Sequence, residues 1–236
     1  MLPKHWVQKD LFHSKLLGEL KRQPTTPCYY PRSVEQNANM VGKCQQAGSK
    51  CTTVVAASVS EETKISEADQ VCVIECGSPG DEGYNPDPLI SEAFGPILAI
   101  VELDHEESDE DGYLAKTAVP FVNNKDNIFG SLSCSVFTPL SKGKTYDRKG
   151  LQSALAALLY GGIGVNQCNM VGYVTAVKGG KWGGHLLEKL GQRGNCHVGD
   201  QYGIVGSKHA KAVVYGPSLE NSIRFGQLVL LHSFYL

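Results

Sequence analysis

Short strand-like segments alternate with helical segments along this chain, and this alternation limits its fold more than any other feature. The clearest helix signal is a set of apolar residues at the spacing of one helix face. These residues are Leu151, Ala154, Leu155, Leu158 and Leu159. A predicted strand, Ser133–Thr138, precedes this segment and another, Ile163–Asn166, follows it. The alternation predicts an α/β fold, a mostly parallel sheet with flanking helices.

Further elements follow from the same patterns. Residues 9–23 carry an apolar stripe at helical spacing, and Pro24 then ends the predicted helix. The stretch 31–70 is polar, and its only strand-like piece is Thr52–Val59. Glycine, proline and aspartate make 77–88 a predicted loop. The remaining predicted strands are Val71–Cys76, Ile97–Leu103 and Ala212–Tyr215.

Composition and charge limit the classes of partner that we expect for this chain. The chain has 236 residues, 42% of them hydrophobic and 19% charged, which is typical of globular proteins. A formal net charge of −2 gives no reason to expect a nucleic-acid partner. No apolar run approaches the roughly 20 residues of a membrane span, and the first ten residues lack a secretory signal. We therefore expect a soluble cytoplasmic protein with no membrane span.

Because no secretory signal is recognised, we expect no disulfide framework, and because the eight cysteines include no CxxC pair, we expect no zinc site. Most are expected to be reduced and to pack as small apolar side chains. Cys134 alternates with apolar residues in a predicted strand and is expected in the core. Cys168 follows a predicted strand, where α/β proteins gather their site loops. It is the only thiol whose position suits a functional site.

Two further patterns are interpreted as structural. The glycines of GGIGVN at 161–166 follow a helix and enter a strand, whereas a phosphate-binding loop runs from strand to helix. We therefore expect them to end the preceding helix. The acidic run Asp104–Asp111 lacks the spacing of a calcium loop and is expected to be a solvated surface segment.

Several segments together resemble the aldehyde dehydrogenase superfamily. The segment SEAFGPILAIVEL is similar to a family hallmark, in which E-x-F-G-P precedes a strand. Three more segments resemble family segments in the same order and near the family spacing, and the likeness is closest over roughly residues 85–185. The four segments are SEAFGPILAIVEL at 91–103, FGSLSCSVFT at 129–138, GGIGVN at 161–166 and KWGG at 181–184.

The resemblance implies a fold and a set of contacts. Residues 1–220 would form part of an aldehyde dehydrogenase catalytic domain, and 221–236 an apolar tail of unknown role. Glu92 matches the glutamate that binds the nicotinamide ribose of NAD or NADP, and a carboxylate can accept two hydroxyl hydrogens at once. Phe94 matches the aromatic residue beside the nicotinamide ring. Cys168 and Met170 would line the substrate tunnel.

The departures from the family are equally informative. The family's nucleophilic cysteine, its general-base glutamate and its dinucleotide-binding domain lie upstream of the matched part. No cysteine here sits in the nucleophile context, so no catalytic residue is assigned, and the isolated chain is expected to be inactive and to bind NAD or NADP only weakly. One interpretation is a portion of an NAD(P)-dependent aldehyde dehydrogenase acting on a small-molecule aldehyde. The alternative is a non-catalytic paralogue that pairs with full-length subunits in a homo- or hetero-oligomer.

Overall fold

The computed structural model describes most of the first three quarters of the chain and two short segments beyond it. The described residues are 1–23, 25, 27–28, 30–56, 69–105, 112–138, 146, 148–176, 211–216 and 229–231. The chain forms two compact units, the first comprising residues 2–104 and the second Met1 with residues 105–236. The predicted domain end at residue 220 lies outside the described residues, as do KWGG and most of the acidic run.

The first unit contains a four-stranded sheet in the order β1-β4-β3-β2. Strands β1, β4 and β3 run parallel, and β2 pairs with β3 antiparallel at the edge. Parallel strands covered on their faces are apolar along their length, which is the pattern that predicted β3 and β4. The strands are β1 Leu2–Pro3, β2 Lys50–Val54, β3 Val71–Gly77 and β4 Ile97–Leu103.

Three helices belong to this unit. Helix α1, Lys9–Arg22, matches the predicted helix, and α3, Asp87–Ile90, is one short turn. Helix α2, Ser33–Gln46, falls in the polar stretch where no helix was predicted. Its buried residues are Ser33, Asn37 and Cys44, so the inward face of α2 carries two polar side chains and one thiol in place of large apolar ones. A search for apolar periodicity misses a helix of this kind.

The second unit contains another four-stranded sheet, in the order β7-β6-β5-β8. Strands β5, β6 and β7 are parallel, and β8 pairs antiparallel with β5. Strand β8 comes from the segment predicted as an apolar tail, so part of that segment completes the sheet edge. The strands are β5 Ser133–Phe137, β6 Gly162–Val165, β7 Ala212–Tyr215 and β8 Val229–Leu231.

The helices of the second unit begin with a π-helical turn, Tyr113–Ala118, that continues into α4, Val119–Asn123. Helix α5 is Lys149–Ala157 and α6 is Met170–Ala176. The prediction that glycines at 161 and 162 end α5 was wrong.

The chain leaves the helix at Leu158, whose backbone is extended, and the Leu159 amide then donates to Oδ1 of Asn123 at 2.8 Å. The ammonium of Lys211 donates to three carbonyl oxygens at the carboxyl end of α5, at 2.6–3.0 Å. These tertiary hydrogen bonds satisfy groups that a helix end leaves open, a function that a glycine cap often serves. The end of α5 is therefore set by residues remote in sequence.

Each unit has its own apolar core. Ile74 and Val101 are fully buried in the first sheet, and Cys134, Val136 and Val165 in the second. Two of the three strand pairings in each sheet are parallel, which confirms the α/β class and the mostly parallel sheets. Within the part of the chain that is described, no helix combines the length and the hydropathy needed to cross a bilayer.

Candidate functional site

The hallmark segment forms a loop, Ser91–Pro96, that joins α3 to β4. Its end is tied to the sheet, because the Cys72 amide donates to the carbonyl oxygen of Pro96 at 2.8 Å. The Ile97 amide donates to the carbonyl oxygen of Gly95 at 2.7 Å. At the start of the loop, the Ser91 hydroxyl donates to the carbonyl oxygen of Asp87 at 2.8 Å. Both ends of the loop are therefore fixed, and the residues between them have a defined placement.

Glu92 lies in this loop and is half-buried. Burial raises the pKa of its carboxyl above the ordinary value, and desolvation is the only cause of that shift. Among the described residues, no basic side chain offsets this desolvation with an opposite charge. A carboxylate in this position gains from any hydroxyl donor that approaches it, because a hydrogen bond restores part of the lost solvation.

Phe94, two residues further on, has a φ of 51°, in the left-handed region that residues with a β-carbon seldom adopt. Its side chain is 48% exposed. The ring makes an edge-to-face contact with Tyr30, with the centroids 6.1 Å apart. The loop thus holds an aromatic ring at the surface in a backbone conformation that is intrinsically unfavourable. Such strain is concentrated at functional sites.

The second predicted region is the loop after β6, at the carboxyl end of the second sheet. Cys168 is exposed there, and its thiol lies 3.6 Å from Oδ1 of Asn169. Met170 begins α6, and its side chain lies outside the described part of the structure. The prediction that Cys168 follows a strand in a loop is confirmed, and no finding tests its role toward a substrate.

Two buried asparagines hold Cys168 in place. Asn166 donates from Nδ2 to the carbonyl oxygen of Thr138 at 2.9 Å and accepts the Thr138 amide at 2.7 Å. Asn169 donates from Nδ2 to Oγ of Ser133 at 2.6 Å. Asn166 and Asn169 are 3% and 2% exposed, so both sets of hydrogen bonds are shielded from water. The thiol between them is presented on a well-anchored loop.

One position of the GGIGVN segment must be glycine because the neighbouring backbone leaves no room for a side chain. A β-carbon at Gly164 would lie 2.7 Å from the carbonyl oxygen of Gln167, because the loop after β6 folds back over the strand. The segment runs from helix to strand, and the glycines at 162 and 164 lie inside β6. Glycine at position 164 therefore serves close backbone packing.

The four predicted site residues fall in different units. Glu92 and Phe94 belong to the first, and Cys168 and Met170 to the second. Within the described ranges, no group of three or more histidine, cysteine, aspartate or glutamate side chains is arranged to hold a metal ion.

The described cysteines, seven of the eight, are all free thiols. Four of them are buried, namely Cys44, Cys72, Cys76 and Cys134. Burial raises the pKa of the Cys72 thiol to about 11 and those of Cys76 and Cys134 to about 12. Because burial disfavours the charged thiolate, the buried thiols stay protonated at neutral pH. Cys196 lies outside the described residues.

Two residues beside the Ser91–Pro96 loop were missed by sequence reasoning. Tyr30 contacts the Phe94 ring, and Asn37 of α2 lies against Gly95. The sequence signal that could have found Asn37 is the recurrence of small residues at positions 33, 37 and 44, which share one helical face.

A scan against protein-family models and a search of curated proteins each found no match to this chain.

Proposed function

We propose that this chain forms part of an NAD(P)-dependent aldehyde dehydrogenase and that the Ser91–Pro96 loop contacts the nicotinamide end of the cofactor. One observation carries the proposal: a single anchored loop presents a half-buried carboxylate, Glu92, beside a half-exposed ring, Phe94. A ribose offers paired hydroxyls to the carboxylate, and a flat nicotinamide offers a face to the ring. Bound NAD(P) would supply the hydride acceptor for aldehyde oxidation.

The residues of the chain have separate tasks in this proposal. Glu92 orients the ribose by accepting its hydroxyl hydrogens, and Phe94 limits where the nicotinamide ring lies. On the substrate side, Cys168 and Met170 belong to the loop that would line the aldehyde tunnel. The family's thiolate nucleophile and base have no counterpart among the matched positions, so we expect the isolated chain to form no NADH from aldehydes.

Nucleotide contact is tested by saturation-transfer NMR on the purified chain with millimolar NAD and, separately, NADP. We expect saturation to reach the nicotinamide and its ribose more strongly than the adenine. The Glu92→Gln variant keeps the side-chain shape but removes the charge, and it should weaken transfer to the ribose several-fold. Glu82→Gln is the matched control, since Glu82 is an exposed acid of the same unit. Equal transfer in both variants, or none in the unaltered chain, would contradict the proposal.

The native mass of the gene product separates the two roles left open by the sequence. A product of about twice 25.5 kDa, with peptides upstream of residue 1, supports a part of a working dehydrogenase. A product of 25.5 kDa that co-purifies with a full-length dehydrogenase subunit supports the non-catalytic partner instead. Formation of NADH from aldehydes above background by the purified chain would contradict the expectation that the isolated chain is inactive.

A further inference from the structure

The left-handed backbone of Phe94 is not favoured by its own side chain, so other residues must stabilise it. A left-handed φ brings its β-carbon close to its own carbonyl oxygen, so an unrestrained chain would relax to an extended conformation. Such a residue persists only when its surroundings determine it more strongly than its own preference. The contacts on either side of Phe94 must therefore hold its backbone in the left-handed conformation.

The first contact lies behind the loop. A β-carbon placed on Gly95 would be 2.5 Å from Cγ of Asn37, so the amide of Asn37 lies directly against the glycine Cα. Asn37 is 3% exposed, and its Nδ2 also reaches Sγ of Cys28 at 4.0 Å. The amide has little room to move aside. The backbone of Gly95 itself is outside the left-handed region, so the Asn37 amide, and not the backbone conformation, excludes alanine there.

The second contact lies at the surface. The rings of Tyr30 and Phe94 meet edge to face, with an interplanar angle of 75°. Both side chains remain about half exposed, at 47% and 48%. The edge-to-face geometry is favourable for aromatic pairs, and here it restrains the direction of the Phe94 ring while leaving the ring accessible.

We propose that Tyr30 and Asn37 are positioning residues, which together with Gly95 form a seat that holds the Phe94 ring ready for a flat ligand. We call these three residues the ring seat. This inference rests on the proposed function, because the ring it positions is the one assigned to the nicotinamide. A ring already held in its binding orientation loses less conformational freedom when the ligand binds.

A double-mutant cycle between Gly95 and Asn37 tests the first contact without any ligand. Gly95→Ala adds a methyl group where the amide lies, and we expect the melting temperature to fall by about 3–10 °C. In an Asn37→Ala background the space is open, so the same change should cost less than half as much. Gly42→Ala is the matched control, since nothing lies within 4 Å of a β-carbon there. An equal cost of Gly95→Ala in both backgrounds would overturn the proposal.

The position of the ring is measured directly by the nuclear Overhauser effect between Phe94 and Tyr30. We expect a clear effect in the unaltered chain, a loss in Gly95→Ala, a weakening in Asn37→Ala and a partial recovery in the double variant. If Asn37 only stabilised the fold, its removal would not restore the Phe94–Tyr30 effect in the double variant. Undiminished effects in both single variants would show that the ring does not depend on the seat.

The second contact is tested by Tyr30→Leu, which removes the Tyr30 ring from the edge-to-face pair and leaves an apolar side chain in its place. We expect the Phe94 ring resonances to shift and nucleotide saturation transfer to fall at least twofold. Tyr173→Leu is the matched control, because Tyr173 is 42% exposed and belongs to the other unit. Unchanged Phe94 resonances in Tyr30→Leu would remove Tyr30 from the proposal.

Failure of this inference and failure of the proposed function give different results. If the cycle and the ring contact behave as expected while the unaltered chain shows no saturation transfer, the ring seat stands and the nucleotide role fails. If nucleotide binds and Glu92→Gln weakens it while Asn37→Ala leaves it intact, the function stands and the seat fails.

Discussion

Replacement of Asn166 by alanine should strongly destabilise the second unit. The side chain satisfies both the amide and the carbonyl of Thr138, at 2.7 and 2.9 Å, in a buried setting. Each backbone group left unsatisfied costs about 1–3 kcal/mol. Asn166 also has a φ of 55°, where alanine costs about 1 kcal/mol more than glycine. The expected loss is therefore about 3–7 kcal/mol.

Two further variants separate the cost of the lost hydrogen bonds from the cost of the left-handed backbone. Asn166→Gly tolerates the left-handed backbone but loses both hydrogen bonds, so it should be about 1 kcal/mol less costly than alanine. Asn166→Asp keeps the acceptor for the Thr138 amide but replaces the donor with a carboxylate oxygen that faces the Thr138 carbonyl oxygen. Asn39→Ala is the control, since Asn39 is exposed within α2 and should change stability by at most about 0.5 kcal/mol.

The assay is hydrogen exchange of the Thr138 amide together with urea unfolding. Exchange at one amide reports on the second unit even if the two units unfold separately. We expect protection at Thr138 to be lost in the alanine and glycine variants and kept in aspartate. A loss below about 1 kcal/mol in Asn166→Ala, or full protection of Thr138 in that variant, would refute the reasoning.

Three further results are expected. Burial raises the folded pKa of Glu92 above its unfolded value, so its favourable contribution exists at low pH and is lost as pH rises through the folded pKa. Glu92→Gln should therefore gain stability over the unaltered chain in urea titrations at pH 7 but not at pH 3, and a gain that is equal at both would contradict this. Lys211→Met removes the ammonium that caps α5 and should cost about 1–2 kcal/mol in the same titrations, with no loss being the contrary result. Iodoacetamide at pH 7.5 should label exposed Cys168 well before Cys76 and Cys134, whose thiols burial keeps protonated, and peptide mapping that finds Cys134 labelled as fast would contradict that account.

The Ser91–Pro96 loop concentrates features that lower the stability of the first unit. Glu92 is desolvated without a compensating charge, and Phe94 has a strained backbone and an exposed ring. Both residues occur within three positions of one loop. A protein tolerates such a concentration where a ligand or partner gains from it. The loop is therefore the part of the first unit in which substitutions should separate stability from binding.

Much of the secondary structure could be predicted because the relevant signals are local. Strand β4 begins and ends where its apolar run does, at Ile97 and Leu103, and β7 does the same at Ala212 and Tyr215. Helix α2 could not be predicted, since its buried face carries polar side chains such as Asn37 and a cysteine in place of an apolar stripe. Its contacts stabilise it only once the loop and the sheet are in place.

The chain's own residue pattern determined the α/β class, the alternation of strands and helices, and the loop position of Cys168. Only the tertiary structure decided that Phe94 adopts a left-handed backbone against Tyr30, and that Gly95 must be glycine because an amide from α2 lies against it. The physical reason is the distance along the sequence over which each effect acts. Periodicity and turn chemistry act over a few residues, whereas desolvation, steric exclusion and strain arise from atoms that are distant in the sequence and meet only on folding.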